Sequence, residues 1–366
     1  MRRSHGEETM TAGAPVPSLQ LTGDPYELGR QHGAARAVAL RAFLDDGLAR
    51  LNHLLDTPVS LASLEPTIAA YRSEIEAGTP ALAEEIRGLA AGAGISHAEA
   101  LLLQLRREIL GYRSTRRPEG DCTTYARVGS GPHTTLAQTV DLSGNLDDQS
   151  CFLSIRRAGS RREVLMLSFG GLLGYLGMNS DGLAVGINLV LGGRWGPGVP
   201  PYLAVRHVLD SAGSVDEALG VLEGLRLASS RSLMLCDRRG CAYVEFMDGR
   251  MHVVQDTVLV HTNHFLRPEF VPFDELNVFA KNSSLRRLDA CAVRLKALPQ
   301  DASPGDHLGL LSTPPIFVPD NGDIRRERTV AVVAMRPALG EVQLLGSRPC
   351  EAPQVFATES LSGAEG

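Results

Sequence analysis

The hydrophobic pattern changes period near residue 120, and this change limits the fold more than any other feature of the chain. Over Ala34 to Leu55, Leu64 to Ile75, Ala81 to Ala91 and His97 to Leu110, apolar residues recur at helical spacing, with Pro and Gly gathered at the ends of the runs. Ser96 with Glu99 three residues on is a capping box, and Gly94 closes the helix before it. After Arg116-Arg117-Pro118-Glu119-Gly120 the pattern shortens to strand-like runs rich in Thr, Val and Leu, broken by Gly, Asp and Asn. Strands are expected at Thr123 to Val128, Thr134 to Val140, Cys151 to Arg157, Glu163 to Ser168, Leu183 to Val190, Ser232 to Cys236, Ala242 to Met247, His252 to Gln255 and Leu259 to Thr262. Two more are expected at Thr329 to Met335 and Glu341 to Leu345. Asp248-Gly249 marks a tight hairpin, because both turn residues need positive φ.

Helices should interrupt the strands at Pro201 to Ser211, at Val215 to Leu225 behind a second capping box (Ser214, Glu217), and from near Ser283 through Leu285, Leu288, Ala292 and Leu295. Antiparallel strands with helices outside them predict a layered α+β fold, not a βαβ sheet. The expected divisions are a flexible N-terminus (1–17), a helical segment (18–121), a strand-rich core (122–357) and a flexible tail (358–366). Net charge is −6 and the 36 Lys and Arg are scattered, so no nucleic-acid or anionic-lipid footprint is present. No apolar run approaches the length of a membrane span, and no membrane partner is expected. Six cysteines match no zinc ribbon or disulfide scaffold and suggest a reducing, cytoplasmic setting. Cys236 and Cys241 flank Asp-Arg-Arg-Gly and read as two packed strand thiols. His261-Thr262-Asn263-His264 offers two imidazoles without a third ligand, so no metal is expected.

Taken alone, Cys122 is a small hydrophobe at the head of a strand. The motifs around it give it another meaning. Gly23-Asp24-Pro25-Tyr26-Glu27-Leu28-Gly29-Arg30-Gln31-His32-Gly33, Arg106-Arg107-Glu108 ahead of Gly120-Asp121-Cys122-Thr123-Thr124, Gly177-Met178-Asn179-Ser180-Asp181-Gly182-Leu183, His261 to His264, and Asn282-Ser283-Ser284-Leu285-Arg286 occur in order over roughly residues 20 to 290. Together they resemble the isopenicillin N acyltransferase family of self-processing N-terminal-nucleophile hydrolases, which are more distantly similar to penicillin V acylases and bile salt hydrolases.

The resemblance implies a four-layer αββα sandwich and a precursor that cuts itself at Asp121-Cys122, leaving its N-terminal segment as a partner of the core. The Cys122 thiol would attack the preceding carbonyl, and the freed α-amine would then serve as base. An α-amine titrates near 8 and a thiol near 8.5, so proton exchange between them is easy. By the same resemblance Asp141 orients the nucleophile, Asn263 donates to the oxyanion, and Ser283 and Arg286, one helical turn apart, act in processing or catalysis. Thr123, Tyr175, Asn188 and Trp195 are the expected substrate contacts. The implied partner is a small-molecule amide or acyl donor. No cofactor is implied, and an acyl-coenzyme A donor would enter as a substrate.

One position departs from the family pattern. The family presents Gly before the cysteine, whereas Gly120 and Asp121 are exchanged here. A β-substituted residue restricts the turn that processing uses. The alternative is therefore an unprocessed member that binds a small molecule without turning it over.

Overall fold

The computed structural model describes residues 15–111, 122–347 and 352–359. Along the chain lie β1 (Ser18–Gly23), α1 (Pro25–Asp45), α2 (Leu51–Leu54), α3 (Leu61–Gly78), α4 (Pro80–Ala93) and α5 (His97–Leu110). Then come β2 (Thr124–Arg127), β3 (Thr135–Leu142), β4 (Ser150–Arg157), β5 (Glu163–Phe169), β6 (Leu176–Asn179), β7 (Ala184–Leu189), α6 (Pro201–Ser211) and α7 (Val215–Glu223). β8 (Arg231–Cys236), β9 (Cys241–Met247), β10 (Arg250–Asp256), β11 (Val258–His261), α8 (Val278–Ala297), α9 (Pro304–Leu311), β12 (Arg328–Arg336), β13 (Glu341–Leu345) and β14 (Gln354–Ala357) complete it.

The strands form an eight-stranded sheet, β1-β4-β5-β6-β7-β8-β9-β10, and a six-stranded sheet, β11-β2-β3-β12-β13-β14. Alternation along the strands builds the layers. Ala126, Leu136, Val140 and Val333 face the interior between the sheets, while Tyr125, Ala137, Val332 and Ala334 point the other way and pack with Cys291, Leu295, Leu308 and Leu311 of α8 and α9. With the N-terminal helices and α6 covering the outer face of the larger sheet, the architecture is the expected αββα sandwich. Every strand pairing is antiparallel except that of β1 with β4.

The glycines of the first motif have a packing role. Helices α1 and α4 run side by side so closely that a Cβ on Gly29 would lie 1.8 Å from the Glu85 carbonyl oxygen, and one on Gly88 would lie 1.9 Å from that of Tyr26. Gly33 and Gly92 repeat the arrangement one turn on. Only residues without a side chain allow backbones to approach so closely.

The helical segment is bound to the core by buried polar bridges. Arg206 on α6 pairs with both Glu85 oxygens at 3.0 Å, Arg231 with Glu108 at 3.2 Å, and the Gln104 amide donates to Gly171 O at 2.8 Å and accepts from Leu173 N at 3.0 Å.

Several expectations need correction. The segment before Cys122 begins with a strand, β1, that extends the larger sheet, and its alternation was too short to read beside the helices. The run Ala34 to Leu55 is not one helix: α1 starts at Pro25 behind the Asp24 cap and ends at Asp45, and residues 47–50 turn left-handed before α2. α8 starts behind Asn277, whose side chain caps Phe279 N and Ala280 N, so Ser283 lies inside the helix. Ser214 caps Glu217 N, but Glu217 accepts from Gly213 N, leaving the second box half formed. Val16 is tied to the Gln354 amide and Thr358 N to Gly340 O, so both ends are held further out than composition suggests. β6, β14 and α9 were not anticipated; β6 and β14 have four residues each and α9 eight, too short for a clear period.

Candidate active site

Cys122 stands at the entrance to β2, 4% exposed, facing a cavity. Its Sγ accepts from Asp141 N at 3.3 Å and lies 4.0 Å from the Tyr175 hydroxyl. Burial, then the Asp141 and Glu327 carboxylates, push the thiol well above its ordinary value; the Asp141 N–H and the Arg287 guanidinium act in the opposite direction. Asp141 comes to this point because β3 pairs with β2. Its Oδ2 accepts from Thr139 Oγ1 at 2.9 Å, and Thr139 Oγ1 also takes Thr123 N–H at 3.0 Å.

A guanidinium organises the other side. Arg287 Nη1 donates to Cys122 O at 2.8 Å and to Thr123 Oγ1 at 3.0 Å, and its Nη2 donates to Asn263 Oδ1 at 2.9 Å. Asn188 Nδ2 also donates to Cys122 O, at 3.1 Å. Because Asn263 Oδ1 is taken by Arg287, its Nδ2 must point away; one N–H reaches Leu189 O at 2.9 Å, and the residue borders the cavity. The Asn263 backbone is fixed in turn by Ser284, whose Oγ accepts from Asn263 N at 2.9 Å and lies 2.8 Å from His264 Nδ1.

Beneath the site the sheets are clamped together. The Gln138 amide on β3 donates to Ile187 O at 2.6 Å and accepts from Ile187 N at 2.9 Å on β7, beside Asn188. His261 bonds Glu245 at 2.8 Å and Thr262 O at 2.8 Å, which commits both ring nitrogens. No group of three metal-ligating side chains occurs among the described residues.

The site residues expected from sequence therefore divide. Cys122, Asp141, Tyr175 and Asn263 line one cavity. Thr123 and Asn188 do not line it: Thr123 Oγ1 accepts from Arg287 and Asn188 Nδ2 donates to Cys122 O. Trp195 does not line the cavity: its Nε1 donates to Ser230 Oγ at 2.9 Å, and its ring lies under Arg107 and Arg231. Arg286 is exposed, and the guanidinium that reaches Cys122 O is that of Arg287. Ser283 is half-buried with its Oγ 3.4 Å from Arg287 Nε, while Ser284 faces inward. Asp121 lies outside the described residues. The signal for Arg287 was present. Ala280, Ser284, Arg287, Cys291 and Leu295 are the buried stripe of α8, one residue out of phase with the series read from its leucines.

The αββα sandwich is the fold of the N-terminal-nucleophile hydrolases. Two variant structures of conjugated bile acid hydrolase from Clostridium perfringens superpose with TM-scores of 0.50 at 14% and 13% identity, covering 65% and 64% of this chain and 93% and 92% of theirs. Residues 129–311, which contain Asp141 and Asn263, match the family Acyl-coenzyme A:6-aminopenicillanic acid acyl-transferase, and the chain belongs to that family. The acyl-coenzyme A:6-aminopenicillanic-acid-acyltransferase 40 kDa form of Emericella nidulans is 27% identical over 259 residues, 70% of this chain and 71% of that protein. No helix among the described residues is long and apolar enough to cross a membrane.

Proposed function

We propose that this chain is a cysteine amidohydrolase or N-acyltransferase that breaks or forms an amide bond of a small molecule through a Cys122 thioester, after cutting itself at Asp121-Cys122. The observation that carries the reading is the position of Cys122. It stands at the head of a strand with its Sγ on the Asp141 N–H, in the same cavity as the Asn263 amide.

The chemistry follows from charge. In an uncut chain the buried thiol beside two carboxylates keeps its proton. Cleavage would place an α-amine on Cys122 itself, and that amine takes the thiol proton as Sγ attacks the acyl carbon. The resulting ammonium sits by the buried Asp141 carboxylate, which offsets its charge. A free N–H of Asn263 Nδ2 stabilises the tetrahedral oxyanion. As the C–N bond breaks, the departing amine takes the proton from the ammonium, and Cys122 is left as a thioester. Water or a second amine then attacks the thioester, giving an acid or a new amide and returning the thiol. Arg287 and Asn188 hold the Cys122 carbonyl fixed throughout. No cofactor is needed for these steps, and an acyl-coenzyme A would enter as an acyl donor. The cut segment remains as a partner, since it supplies Phe43, Leu103, Gln104, Arg106, Arg107 and Leu110 to the cavity wall.

The test is the intact mass of the denatured protein. Cutting after residue 121 of a 366-residue, 39.2 kDa chain gives pieces of roughly 13 and 26 kDa, the larger beginning Cys-Thr-Thr-Tyr. Both should vanish in Cys122→Ala. A purified chain that stays at 39.2 kDa and never acylates Cys122 overturns the proposal in favour of a binding protein.

A further inference from the structure

One buried acid takes no part in the chemistry at Cys122. Glu245 stands on β9 of the eight-stranded sheet, fully enclosed, and its carboxylate reaches the end of β11 in the six-stranded sheet. Its Oε1 meets His261 Nε2 at 2.8 Å and accepts from Leu266 N at 2.6 Å, and its Oε2 accepts from Arg267 N at 3.1 Å. His261 is enclosed as completely, and its Nδ1 faces the Thr262 carbonyl at 2.8 Å, so that nitrogen carries a proton and donates. An acid at this depth has lost its water, and three protein donors take the place of the solvent.

The three donors bracket Asn263. His261 lies two residues before it, Leu266 and Arg267 lie three and four residues after it, and residues 262–267 belong to no strand or helix. Glu245 thus closes both ends of this loop on one carboxylate. Within the loop, α8 sets the direction of the asparagine: Ser284 Oγ accepts from Asn263 N at 2.9 Å, and Arg287 donates to Asn263 Oδ1 at 2.9 Å. Direction comes from α8, and the distance of the loop from the larger sheet comes from β9. The clasp needs an acid. A glutamine in the same place has one acceptor oxygen for two backbone N–H groups, so in either orientation its own NH2 opposes Leu266 N–H or Arg267 N–H. Among the described residues β9 supplies none of the cavity lining, so any effect of Glu245 on Cys122 has to pass through the loop.

We propose that Glu245 is a positioning residue for acyl transfer at Cys122: it touches no reacting atom, and it places the Asn263 amide at the cavity by clasping both flanks of the Asn263 loop. This rests on the Cys122 reading above and extends it to a residue of the opposite sheet. Losing an oxyanion donor outright costs about 100- to 1,000-fold in rate, and misplacing a reacting group by about 1 Å costs about 100-fold. An Asn263 loosened at both flanks should therefore slow acylation by about 10- to 100-fold.

The test sets two reactions of the same thiol against each other. Acylation by p-nitrophenyl acetate passes through a tetrahedral oxyanion, and alkylation by iodoacetamide does not. Initial rates of both are followed by mass on the cut piece that begins at Cys122, in wild type, Glu245→Gln, Glu245→Asp, Asn263→Ala and the double variant Glu245→Gln/Asn263→Ala. Glu245→Gln should lower acylation about 10- to 100-fold and leave alkylation within about twofold of wild type. Glu245→Asp keeps both acceptor oxygens one methylene further back and should retain part of the acylation rate. The double variant should acylate no more slowly than Asn263→Ala alone, because both changes act through one amide. Glu245→Gln that acylates like wild type, or that adds its full loss to that of Asn263→Ala, overturns the positioning role. An equal fall in acylation and alkylation overturns it too, since that marks a site deformed as a whole. If Glu245→Gln does not fold, Glu245→Asp decides: a loss confined to acylation supports the role, and a wild-type ratio overturns it. A wild type that stays uncut, or whose Cys122 alkylates and never acylates, removes the Cys122 reading and this role with it, an outcome distinct from every result that strikes Glu245 alone.

Discussion

Replacing Gly88 by Ala in α4 tests the claim that glycines hold the N-terminal helices together. A Cβ at this position would lie 1.9 Å from Tyr26 O and 2.9 Å from Arg30 N, both backbone atoms that no rotamer change can move. Restoring even a tight 3.0 Å contact requires α1 and α4 to separate by about 1.1 Å, which loosens the packing along both helices. Overpacking costs about 1–3 kcal/mol, and a rigid backbone obstacle belongs at the upper end. Helix propensity returns about 1 kcal/mol, for a net loss of about 2 kcal/mol. The internal control is Gly220→Ala on α7, an exposed helical glycine whose added Cβ would meet nothing within 4 Å, and which should therefore gain up to about 1 kcal/mol. With an unfolding entropy of roughly 2.1 cal/mol/K per residue over 366 residues, 1 kcal/mol moves the melting point by about 1.3 °C, so the variants should melt about 4 °C apart on opposite sides of wild type. Thermal melts at fixed scan rate, supported by urea midpoints, measure this. If Gly88→Ala proves as stable as Gly220→Ala, the close approach is not a determinant of stability and the reasoning fails.

Other expectations follow from the polar interior. Gln138→Leu would strand the Ile187 N–H and C=O between the sheets, a loss of about 2–4 kcal/mol in urea unfolding; an unchanged midpoint would show that the clamp carries no stability. Arg287→Lys keeps a charge but loses the geometry that joins Cys122 O to Asn263 Oδ1, so acylation of Cys122 followed by mass spectrometry should slow at least 10-fold while the fold survives; wild-type rates would argue that the bidentate arrangement is unimportant. His32 is held neutral by burial down to about 3, and His264 and His307 to about 4, all below their ordinary 6.5. In a base with a lowered folded pKa the unfolded chain takes the proton first. Stability is therefore full above pH 6.5 and falls as pH drops toward 4, by up to about 1.4 kcal/mol per unit for each histidine. Glu85, raised to about 7 by burial and Asp210, works against this between pH 4.5 and 7, so urea midpoints should drop on acidification by less than three histidines alone would give, and a rise would refute the assignment.

The elements legible in the sequence were those whose period ran long enough to count. α5, with its Ser96 capping box, and α6 were readable to the residue, and the Asp248-Gly249 turn adopts positive φ at both positions. What escaped was set by tertiary contact. β1 is a strand because its edge meets β4, and the left-handed turn at residues 47–50 exists because Arg50 has partners almost a hundred residues away and Ala49 O accepts from Arg106 on α5. The site shows the same division. Cys122, Asp141 and Asn263, singled out by motif order, which survives in a single sequence, line one cavity. Arg287 was missed in favour of its exposed neighbour, because two adjacent arginines on a helix differ only in phase, and Leu285 and Leu288, which set that phase, lie off the buried face. A stripe defined by Ala280, Cys291 and Leu295, mostly residues smaller than the leucines at 285 and 288, would have put Arg287 inside, facing the Cys122 carbonyl. Polar residues on such a stripe are therefore better guides to a buried site than the bulkiest apolar series on the same helix.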